Sequence, residues 1–255
     1  MTTVTVTESP TTVTVTSATT ATVSTVSPVA SVINENQATI ATTLTQVQSI
    51  ESPNWIQFNT TAVPSTGVGR LWWNDTDGTL DIGMKNGNVT QQVGQELFAF
   101  VKSSDGGARN IGQAVYITGS DGTNKLVALA QANTEPASSK TFAIMAESIS
   151  GGSKGFCTTF GLIRGLNTNH LTEGAPVWLS ASTAGNLTST KPTTPDHAVF
   201  MGFCIRKSQN NGVIFVNIQN GYELDELHNV KITDPQNGQV LKYYAAGGYW
   251  RNENP

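Results

Sequence analysis

GQAVYIT, at Gly112–Thr118, returns as GAPVWLS at Gly174–Ser180. Each copy runs into a glycine-bearing turn, Ser120-Asp-Gly122 in one and Ala184-Gly185-Asn186 in the other. A short strand is expected after each turn, around Leu126 and Leu187. Further on, Phe142-Ala-Ile-Met-Ala146 is echoed by Val199-Phe-Met-Gly202. Each copy ends in a strand pair about a glycine turn. The first runs from Ser148-Ile to Gly155-Phe-Cys and through Gly161-Leu-Ile163, the second from Cys204-Ile to Gly212–Val216. Turns recurring every 8–12 residues or so mark an all-β unit. The spacing predicts two tandem repeats, at about 108–165 and 170–220, forming a duplicated small β-barrel or sandwich.

The β head extends outward from these repeats, over 52–222. Trp55, Ile56 and Phe58 open it. Gly69-Arg-Leu-Trp-Trp-Asn74, the turn Asp75-Thr-Asp-Gly78 and Thr79–Met84 read as a hairpin punctuated by Asp-Gly. The acidic turn does not fit an EF-hand loop. Trp73 stands where an oxygen ligand is needed, and Met84 where the closing glutamate belongs.

Before the head, 31–51 (SVINENQATIATTLTQVQSIE) reads as a helix with a narrow apolar stripe. Ile33, Ile40, Leu44 and Val47, with Gln37 as a polar layer, take the positions of a short coiled-coil seam. Ser31 caps its start and Pro53 closes its end. The expectation is a trimeric coiled coil; a lone amphipathic helix packed on a neighbouring domain is the alternative. Residues 1–30 carry TTVTVT twice, at Thr2–Thr7 and Thr11–Thr16. Strict alternation gives a strand pattern with Val4, Val6, Val13 and Val15 on one face. The stretch reads as a docking arm that adds strands to a partner, with a solvated Ser/Thr-rich tail as the alternative. No Lys or Arg precedes Arg70, so such an arm does not work by charge.

Composition excludes several classes. Charged residues make up 13% of the 255 and the formal net charge is −4, with no basic cluster for a phosphate backbone, so nucleic acid is not an expected partner. No apolar run has the length of a membrane span, and no signal peptide is apparent. Cys157 and Cys204 lie in apolar strand patterns and read as buried free thiols more readily than as a disulfide. None of His170, His197 and His228 has another His, Cys or Asp at metal-ligand spacing, so no metal or other cofactor is expected. The glycine pairs sit in hairpin turns, without a P-loop, a dinucleotide fingerprint or a nucleophile elbow. The carboxylate groups Asp75/Asp77/Asp81 and Glu223/Asp225/Glu226 read as solvated turns, not as a glycosidase pair. No enzyme is expected.

The last segment, 223–255, carries Leu224, Leu227, Val230, Pro235, Gly238, Gln239, Val240, Leu241, Tyr243, Trp250 and Asn252 in the pattern L-x-x-L-x-x-V…P-x-x-G-Q-V-L-x-Y…Y-W-x-N. Over 219–252 this resembles a module of tail-fibre and related appendage proteins of tailed bacteriophages. The 69–83 hairpin resembles a recurring segment of phage structural proteins, and the repeats resemble the small barrels of capsid-decoration proteins. Physically the module is a strand, a Pro-x-x-Gly turn, a second strand, a glycine break and an aromatic third strand. It is too small to fold alone.

The resemblance implies a virion structural protein, either a homotrimeric tail fibre or appendage for host attachment or fibre assembly, or a capsid-decoration or head-fibre protein clamping the shell. It implies other virion proteins as partners: a tail or baseplate adaptor, or capsid subunits. Trp72, Trp73, Tyr243, Tyr244, Tyr249 and Trp250 are the candidate contacts for a host-surface glycan or a partner chain.

Overall fold

The computed structural model describes residues 13–14, 32–33, 54–58, 60, 67–221 and 223–255. The chain divides into two units, Met1–Gln57 and Phe58–Pro255. In the first, Val13–Thr14 (β1) pairs in parallel with Val32–Ile33 (β2). This corrects the helical reading at its start, because Ile33 lies in extended backbone. Both β2 residues are β-branched, which favours the extended chain over a helix. It also changes the reading of the arm, because Val13 pairs within its own chain. Gln37, Ile40, Leu44 and Val47 of the seam lie outside the described residues, as do Val4, Val6 and Val15 of the arm. Nothing among the described residues supports the coiled-coil helix or the docking arm.

The second unit is mainly β. It opens with a hairpin of β3 (Leu71–Asn74) and β4 (Thr79–Gly83), paired from Leu71↔Ile82 to Asn74↔Thr79. Gly78 closes the turn at φ 66°, a conformation that suits glycine. A third strand, β5 (Thr90–Gln92), joins the far side of β4.

The strand β6 (Leu97–Ser103), which precedes the expected first repeat, is followed by β7 (Ala114–Ser120), β8 (Lys125–Leu129), the one-turn helix α1 (Glu135–Ser138), β9 (Thr141–Met145) and β10 (Lys154–Leu166) of that repeat. Around the ring, β6 pairs with β8, β8 with β7, β7 with β9, β9 with β10, and β10 with β6. The result is a closed five-strand barrel. Only the β6–β8 contact is parallel, and that pairing closes it. Inside lie Val101, Val115, Val127, Ala143, Met145 and Cys157, all fully buried. Each valine or methionine there contributes about 1.5–3 kcal/mol by leaving water.

The 13-residue β10 is shared. Its first half completes the barrel, and its second half begins the next repeat. That repeat continues with β11 (Pro176–Leu179), β12 (Leu187–Thr188), β13 (Phe200–Arg206) and β14 (Gly212–Gln219) in the order β12-β11-β13-β14-β10. The echoed sequences occupy like places, with GQAVYIT on β7 and GAPVWLS on β11. The closures differ. β12 has only two residues and does not pair with β10, so the second set stays open where β8 closed the first. One core spans both copies, joining Ala114 and Ile144 to Ile163, Val177, Met201 and Ile214.

A 3-10 turn (Leu224–Glu226) leads to a separate sheet of β15 (Val230–Lys231), β16 (Val240–Tyr244) and β17 (Tyr249–Glu253), with β17 in the middle. The three strands follow the expected layout of the C-terminal module.

Candidate functional site

The outer face of the second repeat carries a row of large apolar side chains. Leu162 on β10 is the cross-strand partner of Phe215 on β14, and Phe203 on β13 lies opposite Phe215 on its other side. Phe160 packs edge-on to Phe215 at 5.3 Å between centroids. Phe200 sits 5.2 Å from Phe203 and 5.6 Å from Trp178 on β11. The Lys191 ammonium caps the end of the row, 5.2 Å from the Trp178 ring. Phe160 and Phe203 remain more than a third exposed, and Ile205 and Leu97 at the margin about half.

Strand alternation alone would send Phe200 and Phe203 to opposite faces. A register shift between Phe200 and Gly202 brings both outward. Gly202 is at φ 137°, and a Cβ there would stand 1.9 Å from the Phe215 carbonyl oxygen. The backbone therefore requires glycine at the point where the row is made.

The first repeat has the same feature in covered form. Phe98 and Phe100 on β6 and Phe156 on β10 face outward, with Phe100 and Phe156 4.7 Å apart. The loop after the first hairpin lies over them. Met84 and Val89 pack on this cluster, and Lys85 sits 5.6 Å above Phe100. The buried Glu147 carboxylate fixes the loop by accepting from Asn86 Nδ2 (3.1 Å), Asn88 Nδ2 (2.9 Å) and the Phe156 backbone N–H (2.9 Å).

The C-terminal sheet presents a second exposed surface. Tyr243 pairs with Trp250 (5.5 Å) and Tyr244 with Tyr249 (5.5 Å), so the four rings divide between the two faces. Tyr243 and Trp250 share a face with Leu241, and all three are more than a third exposed. On the other face the Arg251 guanidinium lies 4.2 Å from the Tyr244 ring, and Lys231 lies 6.0 Å from Tyr249. All five β16 residues are exposed, so this sheet has no core of its own.

Trp72 stands apart from the other candidate contacts. It is only 8% exposed, so its ring is closed to a ligand. Trp73, its neighbour in the alternation, is half-buried and donates from Nε1 to Asp75 (3.2 Å). Beside them is a polar network. Asn74 Nδ2 donates to Asp77 and Asp81 (3.0 Å each), Gln92 donates to Asp77, and Arg164 pairs with Glu96 and bonds Gln92 Oε1 (2.7 Å). Burial raises the pKa of Asp81, and Asn74 donation only partly offsets this; one Asp81 oxygen has no partner. Burial likewise raises Glu96, against the Gln92 N–H and Arg164. Cys157 and Cys204 are buried and unbridged, and burial pushes the Cys157 thiol up to about 12.

A third cluster joins distant segments. His197 Nδ1 lies 2.7 Å from Glu223 Oε1 and 3.3 Å from Glu135 Oε2. Glu135 belongs to α1, His197 precedes β13, and Glu223 begins the C-terminal module.

Sequence reasoning missed the outer row (Phe160, Trp178, Phe200, Phe203, Phe215) and the His197 cluster. The Phe-Met-Gly-Phe run, with glycine breaking the alternation, is the signal for the first. No spacing signals the second, because its members are far apart in the chain. Among the described residues no helix is long and apolar enough to cross a membrane. No family model matches the chain, and neither a curated protein nor a solved structure matches it.

Proposed function

We propose that this chain is a structural component of a tailed-phage virion, a homotrimeric tail fibre or appendage that serves host attachment or fibre assembly. The observation that carries the reading is the C-terminal sheet. It holds the phage-like motif, and it leaves Leu241, Tyr243 and Trp250 exposed on a three-stranded sheet with no core. Such a sheet is too small to stand alone in water. Three copies about one axis would cover its apolar face, and the bare row from Phe160 to Trp178 supplies a second surface for a sister chain or a virion partner. Tyr244, Tyr249 and Arg251 on the opposite face are the contacts offered to a host glycan. Weak sites on a common axis gain avidity. The protein acts by binding and not by catalysis, outside the membrane and away from nucleic acid.

The closed barrel with its second, open copy favours one alternative, a capsid-decoration or head-fibre protein that clamps the shell. Gold-labelled antibody against residues 52–255, viewed on intact particles, separates the two. Label at the tail supports the fibre, and label scattered over the head supports decoration. Virions without label would sink both. Light scattering is expected to give about three times the 27.0 kDa chain mass.

A further inference from the structure

We propose that Glu135, His197 and Glu223 form a binding site for a first-row divalent cation, with zinc as the best-matched ion. One ligand atom from each of the three lies within 4.8 Å of the others. The site stands independently of the virion reading.

Three observations carry it. The spacing comes first. Nδ1 lies 2.7 and 3.3 Å from the two carboxylate oxygens. Ligands held about 2.0–2.2 Å from one zinc ion at a tetrahedral angle are separated by roughly 3.3–3.6 Å, so the Glu135 oxygen is already at that spacing and the Glu223 oxygen must move outward by under about 1 Å. The cluster therefore reaches coordination geometry with small side-chain movements.

The second observation is a mismatch in hydrogen bonding. Nδ1 can present one proton or one lone pair. A proton there serves the Glu223 oxygen at 2.7 Å well and leaves the Glu135 oxygen poorly matched. The two carboxylate oxygens converge on one imidazole nitrogen, an arrangement that a single divalent cation placed among the three would satisfy. Lys191 and Asp196 border the same hollow, of about 380 Å³, with opposite charges. The donor set also selects the ion: calcium and magnesium take oxygen ligands, whereas one imidazole nitrogen with carboxylates suits zinc.

The third observation is that the imidazole and the backbone at Glu223 are held in position, while the two half-exposed carboxylates can adjust to an ion. The His197 backbone N–H donates to the Ala132 carbonyl (2.7 Å), and its side chain is only 16% exposed. Asn220 donates from Nδ2 to the carbonyls of Ser139 and Thr141, which pins the approach to Glu223 beside the end of α1. The Glu223 N–H donates to Glu226 Oε2 (2.7 Å) and fixes the backbone there. A bound cation would join the head, through α1 and the segment before β13, to the first residues of the C-terminal module. His197 supplies the nitrogen ligand, and Glu135 and Glu223 supply one oxygen each.

The test uses the full chain stripped with chelator, titrated with Zn²⁺ by calorimetry and with Co²⁺ by visible absorption. Saturable Zn²⁺ binding is expected, with Co²⁺ bands that Zn²⁺ abolishes. His197→Ala is expected to weaken binding about 100-fold or more. Glu223→Gln, which keeps the shape of the side chain, is expected to act in the same direction and serves if His197→Ala fails to fold. His170→Ala and His228→Ala are expected to leave binding unchanged. Absence of saturable binding would mean that the cluster is an imidazole bridging two carboxylates, and would overturn the proposal. Binding that survives Glu223→Gln at full strength would also overturn it.

Discussion

In the first repeat Met84 and Val89 pack on the outward-facing aromatics, burying Phe156 and leaving Phe98 and Phe100 half-buried, whereas in the second the corresponding Leu162 and Phe215 are half-buried without such a loop and Phe160 is exposed. The two faces are built alike. The first adjoins β6 and is covered by a loop from the segment before it, held by Glu147. The second repeat begins on the shared strand β10, so no segment of that kind enters between the copies to cover it. The second strand set thus carries a similar apolar face without the lid. In the proposed trimer, a sister chain or a virion partner takes the place of that lid.

The strongest way to break this contrast is a pair of truncations. Phe156→Ala is expected to destabilise the chain by about 3–5 kcal/mol, the range for a large aromatic removed from a packed site. Phe203→Ala is expected to cost about 1 kcal/mol or less in the isolated chain while lowering the mass seen by light scattering on dilution. Urea unfolding measures the first difference. Equal losses at the two sites would show that both faces are covered.

Gly202→Ala addresses how the bare row is made. The added methyl meets the Phe215 carbonyl, and φ 137° is strained for alanine. A loss of about 3 kcal/mol is expected, with early exposure of β13 and β14 in hydrogen exchange. A silent substitution would mean that the bulge does not depend on glycine.

Glu147→Gln loosens the lid. It replaces a carboxylate oxygen that accepts hydrogen bonds with an amide NH2 facing other donors, and a cost of about 2 kcal/mol is expected. Exchange should rise at residues 84–89 and not in the second repeat.

The smallest effect is expected at Asp81, in the network beneath the hairpin that carries the lid. A carboxylate whose folded pKa is raised binds its proton more tightly folded than unfolded. Its penalty is absent below the usual carboxylate range, near about 4. It grows as pH rises through the raised folded value and is complete above it. Asp81→Asn is expected to stabilise the chain by about 1 kcal/mol at neutral pH, with little effect in acid. A substitution that destabilised at neutral pH would show that the carboxylate is held by partners stronger than Asn74.

Much of the architecture was legible in the chain. The echo of GQAVYIT in GAPVWLS located equivalent strands, and Asp75–Gly78 located a hairpin turn. Pro235–Gly238 and Gly247-Gly248 divided the last segment into strands. These signals are local, because they depend on periodicity and on residues that favour particular turn dihedrals. The reading of 31–51 drew on the same kind of signal and met extended backbone at Ile33, where two β-branched residues in succession found a partner strand. Trp72 and Trp73 looked alike as candidates until pairing with β4 buried one and left the other half-exposed.

The sequence alone determined the β class, the main turns and the layout of the C-terminal module, because residues close in the chain specify them. Only the tertiary structure decided three things: that the parallel β6–β8 pairing closes one barrel and leaves its copy open, which aromatic faces are covered, and that Glu135, His197 and Glu223 meet. Those outcomes depend on contacts between distant segments, whose distances no local pattern records.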